Sequence, residues 1–223
     1  MAAKGVIVEF DFAAMDGAKL LFETTRNFLQ KLDGIPFDDR VEAQHLAGCN
    51  YQGAFVEYFP LVKTKKTAAK AAKDLADAFA NGLKDAIPKS VTQGFRNFVK
   101  TLSAKGVKVV IATRADISAS EISAAFSPLL GDNIVLYHEE STTYGNVKWD
   151  VWRRACAANK LPPSVTLAVT GSGNGVKSAL IAGMGSMVVV NPRTAYQDCS
   201  GADAIVKELN SESAKTALEI LRI

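Results

Sequence analysis

The sequence predicts an α/β protein: a parallel, doubly wound sheet with a helical domain inserted after its first strand. Three features carry that expectation. Short β-branched runs alternate with helical stretches along most of the chain, and one long segment breaks the alternation. A carboxylate, Asp11, stands where the first apolar run opens into a small-residue turn. Alternation of strands and helices implies parallel pairing through right-handed crossovers.

The first run, Val6 to Phe10, is followed by Val107 to Ala112, Ile134 to Tyr137, Thr166 to Val169 and Met187 to Val190. Each is short, rich in β-branched residues and bounded by turn formers, which is how buried parallel strands read. Helical periodicity fills the gaps at Ser90 to Ala104, Ser118 to Ser127, Trp149 to Asn159 and Val176 to Ala182. From about Gly17 to Ile87 no strand is legible. Leu20, Leu21, Thr24, Phe28 and Leu32 recur at helical spacing there, and Pro88 marks the return to the sheet. The domain reading is therefore 1–16 with 88–223 as the α/β core and 17–87 as an inserted α-helical unit.

The bulk numbers exclude several classes. A chain of 223 residues with 48% hydrophobic and 22% charged residues is an ordinary globular composition. A net charge of +3 is too small to argue for nucleic acid or an anionic surface. No apolar run approaches the roughly 18 residues of a membrane span. Cys49, Cys156 and Cys199 show no disulfide or metal spacing, so a reducing, cytoplasmic location is expected. The opening residues lead at once into a strand, leaving no room for a signal peptide; an organelle stays open if the chain is a processed form.

A carboxylate at the carboxyl end of a first strand is where an α/β enzyme presents a nucleophile. The stretch Val6-Ile-Val-Glu-Phe-Asp-Phe-Ala resembles the first motif of the haloacid dehalogenase-like phosphotransferases, in which Asp-x-Asp follows the first strand. The helical unit after that strand resembles the C1-type cap of the phosphoglycolate phosphatase and β-phosphoglucomutase branch. The resemblance implies that Asp11 is the attacking carboxylate. It also places Ala13 where a second Asp handles the proton on the leaving group. Alanine carries no proton.

Three further motifs can be placed. Val107-Lys-Val-Val-Ile-Ala-Thr-Arg matches the second, making Thr113 the hydroxyl that would bond the phosphoryl group. Gly145-Asn-Val-Lys-Trp-Asp resembles the third, making Lys148 the neutralising cation. Leu167-Ala-Val-Thr-Gly-Ser-Gly-Asn-Gly matches the fourth, but Thr170 and Gly171 stand where the family carries acidic ligands for Mg²⁺. Mg²⁺ asks for hard oxygen donors, usually including one or two carboxylates. Asp11 alone is a poor site, so no cofactor is expected. Asp16 could reach back as a rescuer; turn chemistry is its simpler reading.

Other readings of the same residues are weaker. The 2-haloacid dehalogenase branch needs neither metal nor second Asp, yet Gly175 falls where its later Asp would stand. Gly171-Ser-Gly-Asn-Gly-Val-Lys imitates a phosphate loop without the spacing of one, because Lys177 does not follow the last glycine directly. A strand–glycine turn–helix start still attracts anions through free amides, so residual phosphate or anion binding is retained as an expectation. The basic stretch from Lys63 to Lys73 places Lys66, Lys70 and Lys73 on one helical face, a solvated face or a dock for an acidic partner.

The expected function is that of a catalytically degenerate protein, a structural or binding subunit of a larger protein assembly. The alternative is a weak or atypical phosphatase acting on a small phosphorylated metabolite through Asp11, Thr113 and Lys148.

Overall fold

The computed structural model describes residues 3–31, 37–41, 67–113, 119–138 and 149–223. Lys148, His45, Cys49, Lys63, Lys66 and Arg114 lie outside them.

Six parallel strands form one sheet in the order β3-β2-β1-β4-β5-β6. They are β1 (Gly5–Glu9), β2 (Lys108–Thr113), β3 (Ile134–His138), β4 (Thr166–Thr170), β5 (Gly185–Val189) and β6 (Ala204–Val206). The central strands are β1 and β4, and every residue of both is buried. That is why they read as unbroken apolar runs.

Strand alternation sends side chains to two separate cores. Val6, Val8, Val109, Ile111, Leu167 and Val169 join the larger core, while Ile7, Val110 and Ala168 join the smaller. The larger face is covered by α4 (Gln93–Ala104) and α8 (Ser211–Ile220), and Phe126 of α5 (Ala119–Phe126) joins it. Phe10 is gripped edge-on there by Phe126 at 4.7 Å and Phe95 at 5.4 Å. The smaller face is covered by α6 (Trp149–Ala158) and α7 (Gly173–Ala182). Trp152, almost fully buried, donates from Nε1 to Ser178 Oγ at 2.9 Å across these two helices.

The described residues after β1 lie largely in helices: α1 (Gly17–Lys31), a single turn α2 (Asp39–Val41) and the 23-residue α3 (Ala68–Ser90). The spacing that marked a helix here is borne out in α1, whose buried face lies beside those residues. Ala18, Phe22, Thr25 and Leu29 are buried, whereas Leu20, Leu21 and Phe28 are only partly so. Phe22 stacks beside Phe37 at 5.2 Å, and Thr25 follows it inward despite its hydroxyl. Pro88 does not end α3. The helix runs two residues beyond it, and Ser90 Oγ then bonds Ala86 O at 2.9 Å.

Two elements were not legible in the sequence. The edge strand β6 has only three residues, and α8 is capped by Asn210, whose side chain accepts from Glu212 N and Ser213 N in a capping box.

Candidate functional site at the carboxyl edge of the sheet

Directly after β1 the chain makes a π-helical turn, Phe10–Ala14, closed by Met15 N on Phe10 O at 2.9 Å. The turn lifts Asp11 out of strand geometry while keeping it buried, at 4% exposure. Thr113, the last residue of β2, donates from Oγ1 to Asp11 Oδ1 at 2.6 Å. Two predicted site residues from distant parts of the chain thus meet. A short bond from a neutral hydroxyl to a buried carboxyl satisfies the group without adding charge. Ala13 is buried in the same turn.

A second buried acid was missed. Glu9 continues the alternation of β1 onto the smaller face and is 5% exposed, and Thr170 Oγ1 donates to its Oε2 at 2.6 Å. Thr170, standing where the resemblance puts an acidic residue, therefore serves a carboxyl that sits one strand over. The available signal was an acid inside an apolar strand, since a buried carboxyl requires a partner.

The fourth motif packs against the first through bare backbone. A Cβ placed on Gly171 would lie 2.0 Å from Phe12 O, and one on Gly175 would lie 1.9 Å from Thr170 Oγ1. Glycine at these positions is therefore a demand of close approach. The start of α7 is also engaged. Ser172 Oγ accepts from Gly175 N at 3.0 Å and Gln197 Oε1 from Asn174 N at 3.2 Å, while Thr194 Oγ1 donates to Gly171 O at 2.6 Å. The amides expected to be free for an anion are, at Asn174 and Gly175, already bonded within the protein.

The segment after β5 supplies those contacts and reaches further. Asn191 Nδ2 donates to Asp16 Oδ1 at 3.0 Å, which also accepts from Lys19 N at 3.1 Å. Asp16 thus holds a turn at the start of α1, matching its simpler reading. Arg193 lies 3.5 Å over the Phe22 ring and pairs with Asp39, tying this segment to the helical insertion.

Mg²⁺, which the family resemblance implies, does not fit this donor set. Asp11 offers a carboxyl already bonded to Thr113, Ala13 offers no side-chain oxygen, and position 171 has no room for a side chain. Among the described residues no group of three or more His, Cys, Asp or Glu is placed to hold a metal ion. Cys156, in the smaller core, is no nucleophile either, because burial pushes its thiol up to about 11. Among the described residues no helix is long and apolar enough to cross a membrane.

The parallel sheet, the turn after β1 and the Asp11–Thr113 pair define the class: the chain has a haloacid dehalogenase-like α/β fold. No protein-family model and no curated protein matches the sequence. Solved structures match over nearly the whole chain. β-Phosphoglucomutase from Clostridium difficile aligns with a TM-score of 0.71 at 11% identity, covering 99% of this chain and 97% of that one. CbbY from Rhodobacter sphaeroides, solved in complex with phosphate, aligns with a TM-score of 0.69 at 14% identity, covering 94% and 96%. A conserved haloacid dehalogenase-like protein from Agrobacterium tumefaciens aligns with a TM-score of 0.69 at 14% identity, covering 98% and 100%.

Proposed function

We propose that this chain is a catalytically degenerate haloacid dehalogenase-fold protein that works as a binding or structural subunit of a protein assembly. The observation that carries the reading is the contact between Gly171 and Phe12 O, which leaves no room for a metal ligand between the first and fourth motifs. Ala13 supports it from the first motif, since general acid–base help worth ~10²–10⁴-fold has no carrier there. The chain then takes no Mg²⁺ and resides in the reducing cytoplasm. Its helical insertion, set at 17–87, offers the assembly a surface. The basic row is less one-sided than spacing suggested. Lys70 pairs with Asp74 at 3.7 Å and Lys73 with Asp77 at 2.9 Å, so the face is mixed in charge and the partner need not be acidic.

A second reading is favoured by the Asp11–Thr113 bond: a weak phosphatase in which Asp11 attacks phosphorus, Thr113 steadies the phosphoryl oxygens and Lys148 balances charge. CbbY was solved with phosphate, and residual phosphate binding at this edge belongs to the same reading. One experiment separates the two. Turnover of an aryl phosphate is measured with and without Mg²⁺, beside Asp11→Asn. The degenerate reading expects no Asp11-dependent turnover and co-elution with a stoichiometric protein partner on native purification. Turnover lost on Asp11→Asn would overturn it.

A further inference from the structure

A cavity of about 580 Å³ opens at the carboxyl edge of the sheet, on the β5–β6 side of the turn after β1. Neither Asp11 nor Thr113 lines it, so it is separate from the polar pair described above. Its volume lies within the roughly 300–1,000 Å³ of small-molecule sites. Ala13, Met15, Phe95, Val189 and Leu209 line it, all buried and apolar. The alanine that stands in the place of the family's second acid is thus part of an apolar floor.

The polar groups at the rim differ in whether they are already engaged. Asp16 accepts from Lys19 N and Asn191 Nδ2, and Asn191 Oδ1 accepts from Arg193 N at 2.9 Å. Glu208 Oε1 accepts from Asn210 Nδ2 at 2.9 Å, and Gln93 Nε2 donates to Asn97 Oδ1 at 2.8 Å. Lys207 also lines the cavity, is exposed, and pairs with no described residue. Each acid on the rim already accepts from a neutral donor and keeps its charge, whereas Lys207 makes no described bond. An apolar floor beneath one unengaged ammonium selects a ligand with an apolar body and one compact anionic head.

We propose that this cavity binds a small amphipathic anion, a carboxylate or phosphate ester on an apolar chain, with its head at Lys207 and its body over Ala13, Met15 and Phe95. The inference goes beyond the reading of a degenerate enzyme and stands whether or not the polar pair is active.

The test is calorimetric titration of the intact protein with octanoate, octyl phosphate and octanol at low salt. Saturable binding is expected for both anions, the tighter of the two naming the headgroup, with octanol weaker. Lys207→Gln should weaken the anions about three- to fivefold and leave octanol unchanged, the range an exposed charge contact provides. Val190→Trp, at an exposed position on the cavity wall, should abolish binding of all three with the circular dichroism spectrum unaltered. Absence of saturable binding would overturn the proposal. So would octanol binding as tightly as octanoate, or binding indifferent to Val190→Trp.

Discussion

Strand β1 is met differently by its two neighbours at the carboxyl edge. On the β2 side, the hydroxyl of Thr113 reaches the carboxyl of Asp11, and both side chains lie where the family resemblance puts them. On the β4 side, Gly171 brings its backbone against the carbonyl of Phe12, with Thr194 bonded to Gly171 O and Gln197 to Asn174 N. One flank carries a hydrogen-bonded polar pair. The other is packed backbone to backbone. A strand edge can thus be held on one side by a buried side-chain pair and on the other by backbone at contact distance with its own hydrogen bonds.

The largest test of that contrast is Gly171→Ala. Its Cβ would meet a backbone carbonyl, so one methyl group should cost about 1–3 kcal/mol in urea denaturation, the range for overpacking a tight site. A neutral result would mean that the β4 flank is looser than described. The family's acid could then be accommodated at position 171.

Thr113→Val and Thr170→Val ask whether the two buried carboxyls depend on their hydroxyls equally. Each substitution keeps the shape and removes a donor from a buried acceptor, with an expected loss of about 1–3 kcal/mol. Double-mutant cycles with Asp11→Asn and Glu9→Gln isolate each pair. A coupling confined to Asp11–Thr113 would break the symmetry and mark Glu9 as supported by other neighbours.

On the closed flank Thr194→Val removes the bond to Gly171 O and should cost about 1 kcal/mol. Faster amide exchange confined to residues 171–175 is the expected companion result. If exchange is unchanged, the seal is not held by Thr194.

The smallest effect provides a control beneath α7. The Cys156 thiol is held up near 11 by burial, so the folded state binds its proton more tightly than the unfolded chain does. This contribution to stability is complete below the unfolded value of about 9 and is lost as pH rises through 11. Cys156 should resist alkylation at pH 8 in the native protein and in Thr194→Val alike. Its reaction in the variant would show that opening spreads from the loop into the smaller core.

Several features were legible because they depend on local pattern. β-branched runs between turn formers located β1 to β5 to within one or two residues, and the small-residue turn after β1 marked the edge where Asp11 lies. Matching the end of β2 identified Thr113. Which face of α1 is buried was not legible, because a helix shows which residues share a stripe, not which stripe the neighbouring elements cover. Glu9 went unnoticed because its partner, Thr170, lies 161 positions away.

Residue chemistry by itself determined that this chain forms a parallel α/β sheet and that Ala13, Thr170 and Gly171 bring no carboxylate to its edge. Those conclusions follow from periodicity and from which side chains carry oxygen, properties that belong to the residues themselves. Only the tertiary structure decided what lies against positions 170 and 171. The approach of Gly171 to Phe12, the reach of Gln197 to the start of α7 and the cavity beneath Lys207 each depend on where separate segments come to rest. Contact distances between remote backbones arise from packing the whole sheet and its helices, so no stretch of sequence encodes them locally.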